Sequence, residues 1–260
     1  MSSPTARQLK EAAGLGRRKN REASGRFQIE GWRSVMAARD AGASIDHIFV
    51  SPSLIVPEGE QPRLDLIAPV FEVSETEMKR LSDVSTPPGI LAVARIPESF
   101  DPDPWPERML LLDGVQDPGN VGTLIRTAAW LGIECVGIGP GTADPYAPKV
   151  VRSTMGGLWD AQIVRIPDLD SWMARAAASG AAIWVTDMNG TSVPDWQPST
   201  PSVLVIGSEA HGVSDAVRRN ASGTVSIPAG SANRVVESLN AAVAGAIIMS
   251  CWTKSASGPV

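Results

Sequence analysis

The 260-residue chain has only two cysteines, two histidines and one tyrosine. Cys135 and Cys251 sit in apolar surroundings with no partner at zinc-ligand spacing, which excludes a disulfide framework or a cysteine-based zinc site. His47 and His211 are too few for a histidine-rich metal centre, so the expected chemistry uses no metal. Long hydrophobic runs are also missing. The least polar stretch, Leu239 to Trp252, is broken by Asn240, Gly245 and Ser250 and falls short of the ~20 residues of a membrane span. The N-terminus has no apolar core of a secretory signal, so a soluble cytoplasmic protein is expected. GxxxxGK is absent, and Gly137, Gly139 and Gly141 in GIGPGTAD do not make GxGxxG, which argues against nucleotide- and dinucleotide-binding loops.

Acidic charge dominates, at a net −5, but unevenly. Residues 1–34 carry Arg7, Lys10, Arg17, Arg18, Lys19, Arg21, Arg26 and Arg33 against Glu11, Glu22 and Glu30, a balance of +5 that leaves −10 for the rest. A solvated helix face explains most charge runs. Arg17, Arg18, Lys19 and Arg21 fall within five residues with no apolar side chain between them, a poor core helix and a good phosphate contact. Together with Arg26 they form the candidate nucleic-acid-binding set.

PESFDPDPWP, residues 97–106, holds four prolines and reads as an extended linker between a first domain, 1–96, and a second, 107–260. In the first, Gly31–Ala41 has helical spacing, strands are expected at Asp46–Val50, Val70–Val73 and Ile90–Ile96, and Ser74 with Glu77 forms a capping-box pattern. In the second, strand-like runs at Met109–Leu112, Cys135–Ile138, Gln162–Ile166, Ala182–Thr186, Val203–Ile206 and Thr224–Ile227 alternate with helical patterns at Val121–Leu131, Pro148–Leu158, Leu169–Ala178 and Ser238–Met249. This alternation predicts an α/β fold with a parallel sheet covered on both faces, whose sites favour the loops at strand C-termini.

Three segments after strand-like runs concentrate glycine, asparagine, serine and charge. In DGVQDPGNVGTLIRTAAWLG, Asn120 reads alone as a helix N-cap and Arg126 as a surface ion pair, although Arg126 shares its face with Gly119, Gly122 and other small residues. VLVIGSEAHGVS supplies Gly207 and Gly212 for close backbone approach and Glu209 to bind or orient a cationic group; plain turn glycines and an exposed loop acid are the alternatives. IPAGSANRVVESLNAAVAGAIIMSCW places Ser238 and Asn240 at the start of a helix that is apolar nearly all round. Those two side chains either brace the helix or hold a ligand.

Taken in order, DPGNVGTLIRTAAWLG, VIGSEAHGVS and IP…ESLNAAVA resemble motifs 1, 2 and 3 of the SpoU (TrmH) family of RNA ribose 2′-O-methyltransferases in the SPOUT superfamily. DPYAPKVVRSTMGGLW resembles the family's intervening segment. RRKNREASGRFQIEG and GILAVARIP are similar to parts of its L30e-like substrate-binding domain. AGSANRVV, residues 229–236, is about three residues longer than the corresponding family loop.

The resemblance implies a C-terminal domain with a trefoil knot, homodimerisation through that domain, and S-adenosylmethionine bound by Gly207, Glu209, Gly212, Ile227 and Leu239. It also implies a catalytic set of Asn120, Arg126, Ser238 and Asn240. The implied partner is structured RNA, ribosomal RNA before transfer RNA, with no metal and no membrane. A non-catalytic RNA-binding protein of the same fold is the competing reading.

Overall fold

A computed structural model describes residues 2–60, 63–231, 235 and 237–254. The chain forms two compact units, Met1–Glu98 with Tyr146–Trp159 and Ser99–Pro145 with Asp160–Val260.

The first unit opens with helices α1 (Ala6–Gly14) and α2 (Arg18–Ser24) and continues through β1 (Arg26–Glu30), α3 (Trp32–Asp40), β2 (Ile45–Val50), β3 (Val70–Glu72), α4 (Glu75–Leu81) and β4 (Ile90–Arg95). Its sheet runs in the order β1-β4-β2-β3, with β4 antiparallel to both neighbours and β2 parallel to β3. Ser74 caps α4 with both arms of the capping box made. Phe49, Met78, Leu81 and Leu91 pack with Ala12 and Leu15 of the first helix pair. On β1, Gln28 points into a buried layer, where its amide donates to the carbonyls of Ala12 (2.9 Å) and Leu81 (2.8 Å). A polar residue is stable there because both donors are satisfied.

The basic run is itself helical. Arg21 is only 2% exposed, and its Nη1 donates to the carbonyls of Leu15 (2.8 Å) and Gly16 (3.0 Å). It braces the turn between α1 and α2 and is withdrawn from any phosphate, which corrects its place in the RNA-binding set.

The second unit contains β5 (Arg108–Asp113), α5 (Pro118–Trp130) and β6 (Cys135–Ile138). The chain then contributes α6 (Pro148–Thr154) to the first unit before returning as β7 (Gln162–Arg165), α7 (Leu169–Ala178), β8 (Ala182–Ser192), β9 (Ser202–Gly207), α8 (Asp215–Asn220), β10 (Gly223–Ser226) and α9 (Ala241–Lys254). Segment 146–159 joins the first unit through buried Val150 and Val151 and through Tyr146 and Trp159, which pack on Phe27 at ring distances of 5.0 and 6.0 Å. Arg152 Nη1 also lies 3.0 Å from Glu30 Oε2. Sequence continuity alone assigns this segment to the second half, and its packing does not.

The six strands of the second sheet are all parallel, in the order β10-β8-β9-β5-β6-β7. Strand alternation splits the core. Met109, Leu111, Val203 and Val205 face Trp172, Met173 and Val217 of α7 and α8. A Cβ on Gly245 of α9 would lie 2.4 Å from Leu124 of α5 and 2.6 Å from Ile206, so glycine there lets α9 lie flat against α5 and the sheet. Trp252, 1% exposed, anchors the C-terminal helix, and its Nε1 donates to Ser202 Oγ at 3.1 Å. The helix begins at Ala241 rather than Ser238, because Asn240 caps it. Its apolar circumference is only partly covered, leaving Val243 and Ile247 exposed. Among the described residues, no helix is long and apolar enough to cross a membrane.

Candidate active site

β5 and β9 lie side by side at the centre of the second sheet and end together, with Asp113 opposite Gly207. The loops that follow carry two of the three chemical segments. After β5, Asp117 is the N-cap of α5, its Oδ1 accepting from Asn120 N at 2.8 Å, with Pro118 in the first turn. Asn120 is therefore not the cap its residue type suggests, and its side chain is released for other contacts. After β9, Ser208 and Gly212 pair through two backbone hydrogen bonds of 2.9 and 2.8 Å, closing a tight loop with Glu209 at its exposed tip. Both glycines are required. Gly212 has φ +67°, and a Cβ on Gly207 would fall 2.5 Å from the Gly212 carbonyl carbon.

The third segment arrives at the start of α9. Asn240 Oδ1 accepts from the backbone N–H groups of Ala242 (2.9 Å) and Val243 (3.2 Å). With its oxygen committed, its Nδ2 donates to Asn120 Oδ1 at 3.0 Å, and Asn120 Nδ2 donates to Glu209 Oε1 at 2.5 Å. The polarity of this relay is fixed from both ends. Helix N–H groups require an oxygen on Asn240, and an ionised carboxylate accepts only, so each amide has one allowed orientation. Residues up to 120 positions apart are thus joined by two successive side-chain hydrogen bonds.

The other expected residues group less tightly. Arg126 stands on α5 about two turns, or ~9 Å of helix, beyond Asn120. It is exposed, and its side chain makes no hydrogen bond or ion pair with any described residue. Ser238 and Leu239 directly precede Asn240 and are exposed, so the bracing falls to Asn240 and not to Ser238. Ile227, half-buried, follows β10 and touches none of the relay's bonds. Of the longer loop 229–236, residues 232–234 and 236 lie outside the described residues.

Sequence reasoning missed two supports. Buried Asp113 accepts from Ser214 N at 2.6 Å, tying the end of β5 to the chain beyond Gly212. Thr142 Oγ1 accepts from Gly114 N (2.9 Å) and donates to the Leu112 carbonyl (2.8 Å). The one available signal was an acid closing an apolar strand in LLLDG. No group of three or more His, Cys, Asp or Glu among the described residues is arranged to hold a metal ion.

Residues 107–250 match the model of the SpoU rRNA methylase family, and residues 6–92 match that of the MRM3-like substrate-binding domain. The chain belongs to the SpoU rRNA methylase family. It is 31% identical to the 23S rRNA (guanosine(2553)-2′-O)-methyltransferase RlmP of Bacillus subtilis, over 96% of this chain and 97% of that protein. It is 32% identical to the 23S rRNA (uridine(2479)-2′-O)-methyltransferase of Streptomyces viridochromogenes, over 96% and 90%. The crystal structure of the SpoU methyltransferase AviRb from S. viridochromogenes in complex with AdoMet superposes with a TM-score of 0.83 at 29% identity, covering 96% of this chain and 98% of that one. The three residues of the relay, Asn120, Glu209 and Asn240, all lie inside the SpoU match.

Proposed function

We propose that the protein transfers a methyl group from S-adenosylmethionine to a ribose 2′-hydroxyl of ribosomal RNA, with transfer RNA as the second substrate class. The observation that carries this reading is the Glu209–Asn120–Asn240 relay, which locks three loops of a SpoU methylase domain into one arrangement at the strand C-termini.

The residues present suit the cofactor. Half-buried Ile227 and exposed Leu239 offer apolar surface, and the Gly207–Gly212 loop, with glycine at each end, offers backbone. Bound there, the cofactor supplies an activated methyl on a sulfonium. Asn120 spends one donor and one acceptor on the relay, so its part is to hold the Glu209 loop against the start of α9. In this reading Ser238, exposed next to Asn240, contacts cofactor or ribose.

Arg126 faces the hydroxyl chemistry. A guanidinium stays protonated below pH ~12 and is a poor base, so Arg126 stabilises the developing alkoxide and an adjoining phosphate while solvent or phosphate takes the proton. The trefoil knot, the L30e-like character of the first unit and a cytoplasmic site of action belong to the same proposal.

Homodimerisation belongs to it as well. Trp130 on α5 is 88% exposed, and Val243 on the neighbouring α9 is 50% exposed. Trp130 lies one turn beyond Arg126, so a second copy covering these side chains would also enclose Arg126.

The test is incubation with labelled S-adenosylmethionine and ribosomal RNA from a strain lacking the gene, followed by mapping of alkali-resistant positions. One 2′-O-methyl site in rRNA is expected, with no product from the 2′-deoxy substrate. Absence of both label and cofactor binding would leave the non-catalytic RNA-binding reading.

A further inference from the structure

The first unit holds a cleft of about 850 Å³ where α1 and α2 meet the sheet, within the roughly 300–1,000 Å³ typical of ligand sites. Its wall charges largely cancel. Arg7 Nε lies 2.7 Å from Glu11 Oε1, and Arg26 pairs with Asp46, which also receives Arg95 Nε at 3.1 Å. Lys10, on the same wall, has no ion-pair partner among the described residues. Exposed Arg17 and Lys19 stand nearby on the chain, at the start of α2.

The sheet side of the cleft presents Val93 and the imidazole of His47. That ring is held edge-on by Phe49 (5.0 Å, 84°) and Phe71 (5.9 Å, 72°). Burial lowers its pKa, and Arg26 adds to this; Asp46 and Glu11 act in the opposite sense. The ring is neutral at pH 7. An inorganic anion or an acidic peptide would call for unpaired cations inside such a cleft. A neutral ring, with a cation on the same wall that has no ion-pair partner among the described residues, suits a flat base carrying one phosphate, and sequence-specific RNA recognition takes unstacked bases on rings of this kind.

We propose that this cleft captures one unpaired nucleotide of the RNA substrate, distinct from the methylated one, with its base against His47 and its phosphate at Lys10. The proposal rests on the RNA methyltransferase reading and extends it to a second recognition point.

The experiment uses the full chain with rRNA from the gene-deleted strain, measuring RNA affinity by filter binding alongside kcat and KM. Ala23→Trp fills the cleft from an exposed position on α2. It is expected to raise both Kd and KM for RNA about tenfold, the loss of one base stack, with kcat at saturating RNA, cofactor affinity and the melting transition unchanged. His47→Ala should raise Kd and KM to the same extent, and His47→Phe should restore affinity, since the stack needs a ring and not a proton. Arg18→Ala, on a side chain paired outward with Glu22 at 2.7 Å, is the charge control and should shift affinity less than threefold. Wild-type affinity in Ala23→Trp, or equal losses in His47→Ala and His47→Phe, would overturn the proposal. If no RNA is methylated by any form yet Ala23→Trp still loses affinity, the cleft stands and the methyltransferase reading falls.

Discussion

Two polar regions of the protein are built on opposite plans. In the second unit, Glu209, Asn120 and Asn240 come from three separate segments and bind one another in a relay of fixed direction. In the first, five cations lie within ten residues, and folding sends them different ways: Arg21 inward onto carbonyls, Arg18 onto Glu22, Arg26 onto Asp46, with Arg17 and Lys19 left in solvent. The first plan fixes geometry before a substrate arrives. The second supplies charge without fixing geometry, which suits affinity for a phosphate backbone more than chemistry.

Removing Arg126, which has no partner among the described residues, should have the largest effect. Arg126→Ala is expected to lower kcat by about 10²–10³, the usual size of a lost transition-state charge contact, with cofactor affinity held within twofold by calorimetry. Arg126→Lys sharpens the point: near-normal turnover and an unchanged pH–rate profile would show that charge suffices without the planar fork.

Reversing the relay should come next. Asn120→Asp sets a second carboxylate against Glu209 and removes the donor it accepts from. A loss of roughly 1–3 kcal/mol of stability and about tenfold in kcat/KM is expected by thermal melting and initial rates. Glu209→Gln keeps an acceptor and should cost far less than Glu209→Ala. Equal losses in the two would argue that the carboxylate acts on a ligand and not through Asn120.

The strands of the second sheet and the three chemical segments were legible in sequence because parallel strands buried on both faces read as unbroken apolar runs, each followed by a polar, glycine-containing loop. The relay was not legible. By residue type Asn120 is an excellent N-cap, and only the position of Asp117 three residues earlier shows that the cap is taken. Segment 146–159 was misleading for a similar reason. Val150 and Val151 announce burial but not against which sheet, and that is decided by Phe27, more than a hundred positions away. Arg21 failed as a charge read in one dimension: no local pattern distinguishes a guanidinium bound for carbonyls from its exposed neighbours.

That failure gives the next contrast. Arg21→Ala leaves two carbonyls and a void at the α1–α2 turn and should lower stability by about 1–3 kcal/mol while leaving the salt slope of RNA binding unchanged. Lys19→Ala should do the reverse, leaving the melting temperature unchanged and reducing the slope of log K against log salt by roughly 0.7–0.9, the contribution of one released counterion. A stability loss from both variants would mean that the first unit's charges are structural throughout.

The smallest expected effect is a pH dependence seated in the first unit. Burial holds His47 below its ordinary 6.5, so the folded state binds its proton less readily than the unfolded chain. The corresponding stability is complete above pH 6.5 and is lost as pH falls from there through the folded value. Glu30 has the opposite sign: burial raises it above 4.5, and its contribution is lost as pH rises through its folded value. The two contributions are lost in opposite directions of pH, that of His47 on acidification and that of Glu30 on alkalinisation. His47→Phe removes one of them. Its melting temperature should be less sensitive than wild type's to acidification from pH 6.5 to 5.5, and an unchanged profile would mean that the imidazole is solvated enough to titrate alike in both states.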